Sequence, residues 1–127
     1  MFSHVMLGTN DLDKAKIFYD ALLGSLGVAP GFIDRNRVFW RTPAGVFSIS
    51  LPIDGQAATA ANGSTIGFAC TSAEQVDAWH TAGVAHGGTS CEDPPGVRSG
   101  LTGKMYLAYV RDPDGNKLCG LYRMPKV

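Results

Sequence analysis

The chain contains an internal repeat. His4-Val5-Met6-Leu7-Gly8-Thr9 followed by the run from Asp11 to Leu23 has a counterpart in Thr65-Ile66-Gly67-Phe68-Ala69-Cys70 followed by Ser72 to Ala82. In each copy a short alternating apolar stretch meets a polar break and then a segment with helical spacing, the pattern of a duplicated strand-helix unit. The repeat extends further, because Arg41-Thr42-Pro43-Ala44-Gly45 lines up with Arg111-Asp112-Pro113-Asp114-Gly115 and both are flanked by strand-like residues. Pro presets φ for a turn and Gly supplies conformations other residues resist, so each reads as a hairpin. Two copies are too few for a solenoid; they must bury their apolar faces against each other or against a second chain.

Elements follow in the order strand, helix, strand, strand, strand, twice. Phe2 to Thr9 is expected as the first strand, with Asn10-Asp11 offering a capping oxygen to a helix that ends near Leu23. Within that helix Leu12, Ala15, Phe18, Tyr19, Leu22 and Leu23 share one stripe, so it packs on a sheet by one face. Strands are expected around Gly31 to Asp34, Arg37 to Arg41 and Val46 to Leu51. The first module occupies about 1–53, the Gly-, Ala- and Thr-rich stretch 54–64 is a linker in which 57–61 has the composition for a helical turn, and the second module occupies about 65–127. There Thr65 to Cys70 is a strand, Ser72 caps a helix that Gly83 is expected to end, and a strand from His86 to Cys91 leads into a long loop, Glu92 to Gly103. Lys104 to Arg111 and Lys117 to Arg123 close the module.

A chain of 127 residues can bury a core without staples. Eleven basic residues balance eleven acidic ones, so no excess positive field invites nucleic acid or an anionic membrane. The apolar stretches are strand-sized, far short of a bilayer span. Three cysteines without paired spacing, and an N-terminus without a basic start or apolar run, lead us to expect a cytoplasmic protein with a small-molecule partner.

Two segments carry a family resemblance. His4-Val5-Met6-Leu7 with the Asp11-Leu12 break and Phe18-Tyr19, together with Ala108-Tyr109-Val110-Arg111-Asp112-Pro113-Asp114-Gly115-Asn116-Lys117-Leu118, resemble the vicinal oxygen chelate superfamily, which includes glyoxalase I, bleomycin and fosfomycin resistance proteins and extradiol dioxygenases. The resemblance implies an α+β fold of two tandem βαβββ modules forming a cup-shaped, eight-stranded mixed sheet, with helices outside and a cleft inside. It also implies a homodimer, each cleft taking a module from each chain. Fold does not fix function in such a group.

Metal-using relatives place ligands on the first and last strands of each module. The resemblance maps these positions onto His4, Thr65, Cys119 and a serine of the 46–51 strand, where Ser50 is favoured and Ser48 stays open because both alternate away from Phe47, Ile49 and Leu51. Neutral hydroxyls bring no charge to offset dehydration of a divalent ion. No cofactor is therefore expected, and if a divalent metal binds, His4 and Cys119 are its donors.

Two functional readings follow. In the first the chain is a glyoxalase-like enzyme, a lyase, isomerase or thiol-conjugate enzyme, with His4 as base or sole strong ligand and Ser50, Thr65 and Cys119 beside it. In the second it sequesters a drug or metabolite without chemistry, with aromatics such as Phe39, Trp40, Tyr106 and Tyr109 dominating recognition. Alternation sets Tyr106 and Tyr109 on opposite faces, one of which lines the cleft. The stretch from Glu92 to Gly103 is either a solvated loop or a substrate lid. In the lid reading Arg98 clamps a carboxylate or phosphate by its planar fork, Lys104 adds charge, and Glu92 serves as acid or base.

Overall fold

The computed structural model describes residues 1–126. The first module runs β1 (His4–Gly8), α1 (Leu12–Gly24), β2 (Phe32–Asp34), β3 (Arg37–Thr42) and β4 (Gly45–Ser50); the second runs β5 (Ile66–Ala69), α2 (Ala73–Ala85), β6 (Thr89–Gly100), β7 (Gly103–Arg111) and β8 (Lys117–Arg123). The eight strands form two four-stranded mixed sheets with the same internal order, β1-β4-β3-β2 and β5-β8-β7-β6. First and last strands of each module are parallel and the rest antiparallel. The duplication is visible in register: Thr9 N–H donates to the Ser50 carbonyl at 3.0 Å, and Cys70 N–H donates to the Leu121 carbonyl at 2.8 Å.

Each helix begins where a side-chain oxygen replaces a missing backbone acceptor. Asp11 accepts from Lys14 N–H and Ser72 from Gln75 N–H. The α1 stripe buries Ala15, Phe18, Tyr19, Leu22 and Leu23; α2 buries Val76, Trp79 and Gly83. One face of each sheet covers these helices, with Val38, Trp40, Phe47 and Ile49 from the first sheet and Ala108, Val110 and Leu118 from the second in a single core. Large side chains buried this fully stabilise by about 1.5–3 kcal/mol each, so the continuous core joins the two modules firmly. The opposite face of each sheet is free of helix.

Gly83 does not end α2, which continues to Ala85. A Cβ at position 83 would stand 3.0 Å from Leu22 Cδ1 and 3.2 Å from Val110 Cγ1, so glycine there lets the two helices approach closely. Between Ser50 and Ile66 no helix or strand forms, including over 57–61.

The stretch Glu92 to Gly103 is also not a loop. Residues 89–100 form β6, paired with β7 from Thr89↔Arg111 to Gly100↔Gly103, with one irregularity between Cys91 and Gly96. The Pro-Pro pair sits inside that bulge, where a missing N–H costs the ladder nothing. Arg98 Nη2 donates to the carbonyls of Asp93 at 3.1 Å and Pro94 at 2.9 Å and so ties the bulge together. What composition presents as a lid is a strand edge.

Candidate functional site

Register assigns the helix-free faces. On the first sheet His4 and Met6 pair with Val46 and Ser48, while Ser48 and Ser50 pair with Phe39 and Arg37. Ser48 and Ser50 therefore share this open face, together with Arg37, Phe39 and Arg41. On the second sheet Cys119 stands between Gly67 on one side and Tyr109 on the other, and Tyr109 pairs with Cys91. Because Phe39 pairs with Ser48 as Tyr109 pairs with Cys119, the repeat counterpart of Cys119 is Ser48. Ser50 lies one step further, opposite Leu121 in the repeat.

The sequence-level candidates divide accordingly. Tyr109 and Cys119 are neighbours on the open face. Beside them Lys117 Nζ lies 4.8 Å from the Tyr109 ring centroid and forms an ion pair with Glu92. Glu92 holds φ +57 at the start of the β6 bulge, a left-handed conformation that a non-glycine side chain adopts at a cost. The Glu92 hydrogen bond raises the Lys117 pKa and keeps that ammonium charged. Burial, reinforced by its neighbours, raises the Tyr109 hydroxyl. Burial pushes the Cys119 thiol up to about 11, although Tyr109 pulls it the other way, so Cys119 is a neutral thiol at ordinary pH.

Ser50 accepts from Arg37 Nε at 3.3 Å and donates to the Leu51 carbonyl at 2.7 Å. The two line a polar cavity of about 670 Å³ at the end of the first sheet, with Arg35, Asn36, Asn10 and Gln56. His4 stands on the open face but is exposed at the start of β1, where its Nδ1 lies 2.7 Å from Ser3 Oγ. Within one chain that imidazole is therefore not enclosed by a cleft. Thr65 directly precedes β5 and is exposed.

Three candidates fall elsewhere. Trp40 belongs to the core: it is 1% exposed, packs on Tyr19 and Phe47, and donates from Nε1 to Asp20 at 2.9 Å. Tyr106 is on the helix side of β7, its hydroxyl donating to Asp77 of α2 at 2.8 Å; that bond raises the hydroxyl pKa. Lys104 has the same parity as Tyr106 and is turned away from the open face. Arg98 keeps open-face parity, but two carbonyls already occupy its Nη2.

Alternation also delivers residues that single-residue inspection passes over. Arg37 and Arg41 on the first sheet and Arg98, Arg111, Lys117 and Arg123 on the second make six of the chain's eleven basic residues, against Asp34 and Glu92 as acids. A chain of zero formal charge thus concentrates positive charge on the faces its helices leave free. The signal was present in the sequence once the phase of each strand is fixed by Trp40 or Val110 pointing into the core.

The residues at the four ligand positions do not fit a divalent ion. Ser48 is fully buried and its hydroxyl is committed to the Val5 carbonyl at 2.9 Å. Cys119 would need to lose a proton held up to about 11. Thr65 is a neutral hydroxyl, which leaves His4 as the one ordinary donor. Among the described residues no three His, Cys, Asp or Glu side chains cluster.

Two βαβββ modules sharing one core, with one face of each sheet free of helix, define a class of fold. The chain belongs to the glyoxalase/bleomycin resistance protein/dioxygenase superfamily, whose family model matches residues 1–119. It is similar to the crystal structure of a glyoxalase/bleomycin resistance protein from Albidiferax ferrireducens, at 63% identity over 97% of this chain and 99% of that one, with a TM-score of 0.95. A glyoxalase-related enzyme from Fulvimarina pelagi shares the fold at 21% identity, covering 97% and 88% of the two chains, with a TM-score of 0.73. So does a lactoylglutathione lyase from Agrobacterium tumefaciens, at 20% identity, 96% and 92% coverage and a TM-score of 0.67. No curated protein matches the chain. Among the described residues no helix is long and apolar enough to cross a membrane.

Proposed function

We propose that the protein binds a small organic anion on its open sheet faces, as a homodimer in the cytoplasm. The observation that carries the reading is the excess of arginine and lysine on those faces, with Phe39, Met105 and Tyr109 among them as apolar and aromatic contact surface. Arginine forks orient carboxylate or phosphate groups by paired hydrogen bonds, and the aromatics contribute area. Exposed Phe32, stacked on Phe39 at 5.5 Å, supports a second chain covering the face. The three unpaired thiols, Cys70, Cys91 and Cys119, support a reducing compartment.

Binding without metal-assisted isomerisation is the form of the reading that the donor set favours. One observation supports chemistry as well: Glu92, on a backbone at φ +57, pairs with Lys117 beside Tyr109, so a ligand over the open face would meet a carboxylate able to act as base.

Thermal-shift screening of small carboxylates, phosphates and thiol conjugates against their uncharged isosteres tests the reading. Stabilising compounds should be anions, should lose their effect with added salt, and should bind at least tenfold more weakly to Arg37→Gln or Lys117→Gln. Stabilisation confined to neutral or cationic compounds overturns it. If bound anions are also converted, and Glu92→Gln stops conversion while leaving binding intact, the chemical form replaces the sequestering one.

A further inference from the structure

The repeat is not closed in the same way at its two ends. At one end the Asp112 to Asn116 turn of the second module reaches the β1–α1 junction of the first. Tyr19 Oη donates to Asp112 Oδ2 at 2.5 Å, Asn116 Nδ2 to the Gly8 carbonyl at 3.2 Å, and Asn10 N–H to Asp114 Oδ1 at 2.9 Å. The corresponding turn of the first module, Thr42 to Gly45, makes only bonds of its own: Thr42 Oγ1 donates to the Gly45 carbonyl at 2.9 Å and accepts from Ala44 N–H at 3.2 Å. His80, at the position equivalent to Tyr19, is directed to Ser90 of its own module at 2.8 Å. The Asp112 and Asp114 carboxylates have become Thr42 and Ala44, and the contact they would make is missing.

In its place a cavity of about 620 Å³ opens between the β3–β4 hairpin, the 26–29 loop after α1 and β5. Its aromatic surface comes from Phe47 and half-buried Phe68, whose rings stand 5.4 Å apart, with Trp40 behind them in the core. Exposed Arg41 and His4 also line it, Arg41 with its Cζ 5.3 Å from the centroid of the neighbouring Phe32 ring, and among the described residues no Asp or Glu does. A volume within the roughly 300–1,000 Å³ of small-molecule sites, a largely apolar lining and an exposed arginine within that lining suit one chemical class of occupant.

The geometry points to a second ligand site in this seam, taking an amphipathic organic anion: an aromatic or short-chain group against Phe47 and Phe68 and a carboxylate or sulfonate reached by Arg41. It is distinct from the Tyr109-Lys117-Cys119 face, and Arg41 is the one cation it shares with the open faces of the proposed function.

Fluorescence titration with 8-anilinonaphthalene-1-sulfonate and its uncharged analogue N-phenyl-1-naphthylamine tests it, together with amide chemical-shift mapping of the wild-type protein. The neutral dye should bind saturably at one per chain, and the sulfonate should compete with it. Arg41→Gln should weaken the sulfonate at least fivefold and the neutral dye less than twofold. Ala29→Trp, which crowds the cavity from a loop outside the open faces, should weaken the neutral dye at least tenfold and abolish its competition with the sulfonate, whereas Lys117→Gln should leave the neutral dye unchanged. Wild-type shifts should cluster at Gly27, Ala29, Ala44 and Gly67. Shifts confined to β7 and β8, non-saturable binding, or dye release as rising protein concentration drives self-association would each overturn the proposal, and the shift map decides the matter even if Ala29→Trp does not fold.

Discussion

Tyr19 and Asp112, 93 positions apart, share a 2.5 Å hydrogen bond that fastens the helix of one module to the hairpin turn of the other. Asp112 is 5% exposed and also accepts from Asp114 N–H, Asn116 N–H and Asn116 Nδ2, so its charge is balanced by donors, with no ion pair among the described residues. The same aspartate shapes its own turn and docks it.

Removing one donor from that set should be costly. Tyr19→Phe is expected to destabilise by about 1.5–3 kcal/mol, the range for a hydrogen bond to a charged group, read from the urea midpoint at unchanged m. A loss under 0.5 kcal/mol would show that the contact does not hold the modules together.

The bond also sets an alkaline limit. Burial first, then the Asp112 charge and hydrogen bond, raise the Tyr19 pKa well above its usual 10.0. Below about 10 the hydroxyl is protonated in both folded and unfolded states and its contribution is whole. Above 10 the unfolded chain releases the proton while the folded one keeps it, so stability falls by about 1.4 kcal/mol per pH unit until the folded pKa is reached. Urea midpoints from pH 8 to 11 should drop more steeply for wild type than for Tyr19→Phe; parallel curves would contradict the assignment.

Close packing in the second module gives a steric test. A Cβ at Gly120 would stand 2.7 Å from Trp79 Cε3 and 2.9 Å from Cδ2, whereas one at Gly67 meets nothing within 4 Å. Gly120→Ala should cost about 1–3 kcal/mol through overpacking, and Gly67→Ala should stay within about 0.5 kcal/mol of wild type. Equal effects would mean that the ring moves aside freely.

Thiol chemistry separates the cysteines by environment. Burial raises both Cys70 and Cys119, the latter to about 11. At pH 8 the native Cys119 should react with iodoacetamide roughly two orders of magnitude more slowly than an ordinary thiol, as followed by mass spectrometry of digested protein. Rapid labelling of Cys119 in the folded state would argue for an activated thiolate.

The donor set makes a metal prediction. Titration of chelator-treated protein with Zn²⁺ should reveal no site tighter than roughly 100 μM, because hydroxyls and a protonated thiol cannot replace imidazoles and carboxylates. Chelation should leave the melting temperature and anion binding unchanged. Stoichiometric tight binding would require donors from a second chain to complete the set.

Much of this architecture is local in origin and so was legible. Apolar spacing along α1, the Asp11 and Ser72 caps and the Pro-Gly turns act within a few residues, and each element they imply is present. The elements misread are those decided by distant partners. Gly83 looks like a helix stop until Leu22 and Val110 are seen against it. Glu92 to Gly103 looks like a loop until β7 pairs with it. Trp40 looks like a ligand contact until Tyr19 and Asp20 claim it.

The sequence by itself determined the duplicated module, its helices and hairpins, and the family, because periodicity, capping and turn chemistry are properties of neighbouring residues. The tertiary structure alone decided which face of each strand meets the helices, and with it that arginines and lysines gather on the open faces while Trp40 and Tyr106 turn away. It also decided that one inter-module contact closes and its twin stays open. A strand has two equivalent faces until something packs on one of them, and that choice is made by residues far along the chain.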